Sequence, residues 1–163
     1  MDTEILIKLS KELGEILISQ NKKFTSAESC TGGWLGKSIT SVPGSSTWFG
    51  SSFVTYSYSS KKDILGVNED DLVNFGAVDE RIASQMVSGA MNLSKADVGV
   101  AITGIAGPAG ATDTKPVGTV CFSWKVKEGK SFSKTEYFSG DREEVRFLSV
   151  QRALLGTIEA LKE

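Results

Sequence analysis

The chain is expected to fold as an α/β protein: a single three-layer domain, residues 1–163, with helices covering a mixed β-sheet. Three observations predict this. Segments with three- and four-residue apolar spacing alternate along the chain with short β-branched or aromatic runs. Glycine, proline or a capping Asn/Asp punctuates the changes between them. Hydrophobic content of 40% and charged content of 23% suit a globular protein, and 163 residues are enough to bury a core.

The elements follow in order. Ile5, Leu6, Leu9, Leu13, Ile16 and Leu17 lie on one stripe, so residues 2–20 form an amphipathic helix ended by Asn21-Lys22-Lys23. Phe24 to Glu28 is a short strand, and Thr31 to Thr40 a helix beginning at Gly32-Gly33. Val42-Pro43-Gly44-Ser45-Ser46 is a turn, and Trp48 to Ser57 has strand composition. Residues 59–66 form a short helix stopped by Gly66. Asn68 caps a helix over Glu69 to Phe75, and Asp79 caps another to about Ser94. Asp97 to Thr103 is a buried strand, followed by a glycine-rich loop from Gly104 to Pro116. Val117 to Val126 and Phe132 to Phe138 pair across Lys127-Glu128-Gly129-Lys130. Asp141 and Glu144 form a capping box for a last helix to about Leu161.

Composition also excludes functions. The chain has no histidine, which removes Ser-His-Asp triads, Cys-His pairs and imidazole metal ligands. A net charge of −2 gives no footprint for nucleic acid or an anionic membrane, and no apolar run has the length of a membrane span. The start, Met1-Asp2-Thr3-Glu4, has no basic n-region, and the two cysteines make no disulfide framework, so a cytoplasmic location is expected.

Glu28-Ser29-Cys30-Thr31-Gly32-Gly33 places a hydroxyl at a strand-to-helix turn beside free N–H groups. Ser29 reads either as a helix cap or as a nucleophile with the Thr31-Gly32-Gly33 amides as an oxyanion hole. Cys30, with no histidine to deprotonate it, reads as a packing residue, as does Cys121. Without histidine the base must be lysine, tyrosine or a carboxylate. Lys61 lies just past a strand end; Lys62 is its neighbour, and Tyr56 is either a proton relay, a support for the lysine or an ordinary strand aromatic. Thr103-Gly104-Ile105-Ala106-Gly107-Pro108-Ala109-Gly110 is neither a Walker loop nor a dinucleotide fingerprint, yet it suits an anion nest. Lys115, Arg142 and Arg146 are cations available to a phosphate. Arg142 opens the last helix, where the dipole disfavours a cation, which hints at a ligand role.

The order of segments resembles the nicotinamide mononucleotide deamidase family, the stand-alone form of the C-terminal domain of competence/damage-inducible CinA proteins. The resemblance rests on Ser26-Ala27-Glu28-Ser29-Cys30-Thr31-Gly32-Gly33, Thr55-Tyr56-Ser57 with Lys61, Leu65-Gly66-Val67, Gly76-Ala77-Val78, Thr103 to Pro108, Lys115-Pro116-Val117-Gly118-Thr119-Val120 and Gly140-Asp141-Arg142. It covers nearly the whole chain and leaves no room for the N-terminal domain of the fused forms. Tyr58 and Ser59 stand where many members have Asn-Glu, and Ala109 replaces an acidic or polar residue.

The resemblance implies a bacterial amidohydrolase that converts nicotinamide mononucleotide (NMN) to nicotinate mononucleotide and ammonia, recycling pyridine nucleotide towards NAD. It implies Ser29 as nucleophile, Lys61 as base and Tyr56 as support. Substrate contacts are expected from Cys30, Thr31, Gly32, Gly33, Thr103, Gly104, Ile105, Ala106, Gly107, Arg142 and Arg146. No metal or cofactor is expected; the partner is the small-molecule substrate, with no nucleic acid or membrane, and the chain is expected to be a homo-oligomer, as a dimer. The rival reading is a non-catalytic nucleotide-binding or competence-related regulatory module; a third is another amidase on the same scaffold.

Overall fold

Leu6, Leu13 and Leu17, three of the residues on the first apolar stripe, are buried along helix α1 (Glu4–Ser19). The computed structural model describes residues 1–162. After α1 come strand β1 (Phe24–Glu28), α2 (Trp34–Thr40), a 3-10 turn (Ser45–Thr47), β2 (Phe49–Val54), α3 (Tyr58–Leu65), α4 (Glu69–Phe75) and α5 (Glu80–Ser94). Then follow β3 (Val98–Gly104), β4 (Thr119–Val126), β5 (Ser131–Tyr137) and α6 (Arg142–Lys162). The expected α/β layering is present, with helices on both faces of a mixed five-stranded sheet.

The predicted caps are made. Asn68 accepts the Asp71 N–H, Asp79 accepts the Arg81 N–H, and Asp141 with Glu144 closes the capping box of α6. Other boundaries move for local reasons. Helix α2 starts at Trp34, not Thr31, because Gly32 (φ 60°) and Gly33 (φ 96°) take left-handed conformations. Strand β2 ends at Val54, three residues early; beyond it Ser57 and Ser60 form a capping box that turns the chain into α3.

The strand order is β2-β1-β3-β4-β5. β2, β1 and β3 run parallel, while β4 and β5 are antiparallel. One hydrophobic layer joins α1, α2 and α6 to the sheet through Leu13, Leu35, Phe24, Trp124 and Leu154. The other packs Ile82, Met86, Val87 and Ala90 of α5 with Leu65 and Leu72 against Ala27 and Ala101. Trp124, fully inside, donates its indole N–H to the Ala153 carbonyl at 3.0 Å, so its burial leaves no polar atom unpaired.

This topology selects one place for chemistry. After β1 the chain crosses to β2 on one side, and later to β3 on the other. In open parallel sheets the crevice forms at the carboxyl ends of strands where the order reverses in this way. Register then aligns three chain positions there. Glu28 pairs with Val54 and with Ile102, so Ser29, Thr55 and Thr103 emerge side by side.

Candidate active site

Ser29 does not cap the helix. Gly33 occupies that position, and the Ser29 N–H is held by the Ile102 carbonyl at 2.9 Å. Its side chain, 8% exposed, meets the ammonium-bearing end of Lys61: Nζ lies 2.8 Å from Oγ. Lys61 is carried into the core by the middle of a short helix, α3, and is fully buried. Nζ also donates to the carbonyl oxygens of Thr55 at 2.7 Å and Tyr56 at 3.3 Å.

The partner set fixes the chemistry of the amine. Two of its three partners are carbonyls, which only accept; the third is a hydroxyl, which can do either. A neutral amine with both hydrogens on the carbonyls directs its lone pair at the Ser29 hydroxyl. Burial lowers the Lys61 amine from its ordinary 10.5 to about 8, with no carboxylate among its hydrogen-bond partners to hold the charge. The neighbouring Lys62 is exposed and pairs with Glu69 at 2.8 Å. Cys30, by contrast, is buried, and desolvation pushes its thiol up to about 12. Burial also pushes the Cys121 thiol up.

Glu28 is the residue of the candidate site that sequence reasoning missed. Its carboxylate is fully buried and accepts five hydrogen bonds. The donors are the hydroxyls of Thr31 and Ser52 and the N–H groups of Gly33, Leu35 and Gly36, at 2.7 to 3.2 Å. These are amides that the start of α2 would otherwise leave unpaired. The carboxylate therefore does from within the strand what a cap does from outside. The signal available in the sequence was a carboxylate ending an apolar strand immediately before Ser29.

The turn amides are divided as a result. Gly32 N–H donates to the Ser29 carbonyl at 3.1 Å and Gly33 N–H to Glu28 at 3.0 Å. The N–H groups of Cys30 and Thr31 have no acceptor in another residue among the described residues.

The remaining candidates surround the pair. Arg142 donates to the Gly107 carbonyl at 2.6 Å and to the Tyr56 hydroxyl at 3.1 Å. It thus ties the Thr103 to Gly107 loop to the segment that bears Lys61. Tyr56 supports the lysine through its carbonyl, while its ring, 62% exposed, faces Arg142. Thr103 donates to the Ala77 carbonyl at 2.9 Å, and the Tyr58 hydroxyl accepts the Ala77 N–H at 3.1 Å. Gly104 ends β3 and Ile105 and Ala106 continue from it, Ile105 exchanging backbone bonds with Thr119 and Gly118. Arg146 donates to the carbonyls of Cys30 and Thr31, both at 3.0 Å, and braces the turn that follows Ser29. Lys115 donates to the Phe75 and Val78 carbonyls at 3.0 and 2.5 Å.

Fold and site together define an α/β protein with a buried serine–lysine pair at the carboxyl ends of parallel strands. The chain belongs to the CinA C-terminal domain family, which it matches over residues 6–161. It is 45% identical over 149 residues to the nicotinamide-nucleotide amidohydrolase PncC of Escherichia coli K12, covering 91% of this chain and 90% of that one. It is 44% identical to the protein of the same name from Enterobacter agglomerans, covering 100% and 98%. The crystal structure of competence damage-inducible protein A from Klebsiella pneumoniae superposes with a TM-score of 0.93 at 34% identity, covering 97% of this chain and 98% of that one. Among the described residues no helix is long and apolar enough to cross a membrane.

Proposed function

We propose that this protein is a nicotinamide-nucleotide amidohydrolase that converts NMN to nicotinate mononucleotide and ammonia through Ser29 and Lys61. The amidohydrolase assignment is supported by the names of its relatives. The mechanism is supported above all by one observation: a fully buried lysine, its amine lowered to about 8, lies 2.8 Å from a serine hydroxyl.

The steps follow from that contact. Neutral Lys61 accepts the Ser29 proton as Oγ forms a bond to the carboxamide carbon. The oxyanion is received by the N–H groups of Cys30 and Thr31, the turn amides without an acceptor in another residue. The amide of the residue after the nucleophile has this role in other strand-to-helix turns, and one such donor is worth about 3 kcal/mol. Lys61, now an ammonium, protonates the departing nitrogen as the C–N bond breaks, releasing ammonia. Water then attacks the nicotinoyl ester with Lys61 again as base, which restores Ser29. The positive charge of the substrate's pyridinium ring makes its carbonyl more electrophilic and favours neutral Lys61 while substrate is bound. In this reading the product re-enters NAD synthesis.

Ammonia release from NMN by the purified protein in EDTA, beside Ser29→Ala, tests the reading. Release by wild type and none by the mutant, with NMN binding retained, is expected. Equal release by the mutant sinks the nucleophile assignment. NMN binding without release by wild type leaves a nucleotide-binding module.

A further inference from the structure

We propose that a cavity between α2 and α6, with Lys37 as its cation, is the subsite for the phosphate end of the mononucleotide; this rests on the NMN reading above. The cavity is about 410 Å³ and is lined by Gly32, Gly33, Trp34, Lys37, Glu143 and Arg146. That volume falls within the range of small-ligand sites.

Helix geometry builds it. Trp34 and Lys37 are three residues apart on α2, and Glu143 and Arg146 are three apart on α6, so each pair shares a face. Gly32 and Gly33 provide a part of the wall without side chains, and they belong to the turn that begins at Ser29. The cavity and Ser29 therefore share one turn, with the carboxamide assigned to the serine and the phosphate end to the cavity.

The donors that remain uncommitted favour an anion. Arg142 is tied to Gly107 and Tyr56, Arg146 holds the Cys30 and Thr31 carbonyls, and Lys61 is enclosed beside Ser29. The Lys37 ammonium, by contrast, has no side-chain partner among the described residues. Neither has the Trp34 indole N–H, although the ring is fixed between Phe147 at 6.1 Å and the Arg146 guanidinium at 5.5 Å. Such a rigid donor loses little freedom on binding. Two cations face one carboxylate, Glu143, which gives the cavity a net positive charge. A dianionic phosphate monoester fits this chemistry; a neutral ribose alone does not need it.

The charge argument gives two substitutions with opposite signs. The measured quantity is the ratio of kcat/KM for NMN to that for nicotinamide riboside, which lacks the phosphate. Lys37→Met is expected to lower the ratio about tenfold, mainly through KM for NMN, the loss typical of a charge-assisted hydrogen bond. Glu143→Gln is expected to raise the ratio. Thermal melting checks that both variants are folded. An unchanged ratio in Lys37→Met, or a fall in Glu143→Gln, overturns the subsite. A wild type that releases no ammonia overturns the deamidase reading alone. Calorimetric NMN affinity then decides the cavity: weaker binding by Lys37→Met supports it, and equal binding overturns it.

Discussion

Lys61 reaches the edge of Ser29 with only neutral oxygen atoms around its amine. A surface lysine near 10.5 would be almost fully protonated at neutral pH and could not accept a proton. At about 8, a useful fraction of the amine is neutral. The sign of the pH dependence follows. Below about 8 the ammonium dominates and the base is absent, so kcat/KM for NMN should rise about tenfold per pH unit and level off above that value. The kcat profile should turn at a lower pH, because the bound pyridinium disfavours a second cation beside it. Lys61→Ala should lose about 10²- to 10⁴-fold in activity, the usual worth of a positioned base. Lys62→Ala should stay near wild type, since Lys62 points to solvent and Glu69. A flat profile between pH 6 and about 9, or an essential Lys62, rejects the assignment of Lys61 as base.

Lys61 can only be placed this accurately if α3 is placed accurately, and α5 does that. A Cβ built at Gly89 of α5 would lie 2.0 Å from the Leu65 carbonyl oxygen, at the end of α3. Helix propensity alone favours alanine there by about 1 kcal/mol. The clash is with backbone, which cannot rotate away, and overpacking of this kind costs about 1–3 kcal/mol. Gly89→Ala is therefore expected to melt at a lower temperature than wild type and to lower kcat more than it raises KM; a more stable variant contradicts this packing. Close approach of this sort was not legible in the sequence, where Gly89 is one more residue inside a helical pattern. What was legible was local: the stripe of α1, the caps at Asn68, Asp79 and Asp141, and the strand-to-helix turn at Ser29. Glu28 was not read because its partners come from two elements, including Ser52 on the neighbouring strand. Lys115 was read as a cation for an anion, while its ammonium serves two carbonyls 37 and 40 residues away in sequence. Such contacts depend on topology, and the pattern of residues along one segment does not carry them.

Across the whole molecule, the buried Lys61 amine imposes a cost that can be read from unfolding. In the unfolded chain Lys61 returns to about 10.5; in the folded chain it releases its proton near 8. Below pH 8 both states are protonated, and the full penalty of enclosing an ammonium is present, at most roughly 3–4 kcal/mol. Between 8 and 10.5 the unfolded state binds the proton and the folded state does not, so this group makes stability rise with pH, by up to about 1.4 kcal/mol per unit. Cys30 acts in the opposite direction above its ordinary 9, because its thiol stays protonated when folded, to about 12. The informative quantity is therefore a difference. Lys61→Met keeps most of the buried volume and removes the titrating group, but leaves the Thr55 and Tyr56 carbonyls without this donor. Its absolute stability mixes these two effects; the slope does not. Denaturant unfolding of wild type and Lys61→Met at intervals from pH 7 to 10.5 should show wild type gaining on the mutant throughout the window above 8. Parallel curves would mean that the folded protein does not depress the Lys61 amine, and the serine would then lack its base at neutral pH.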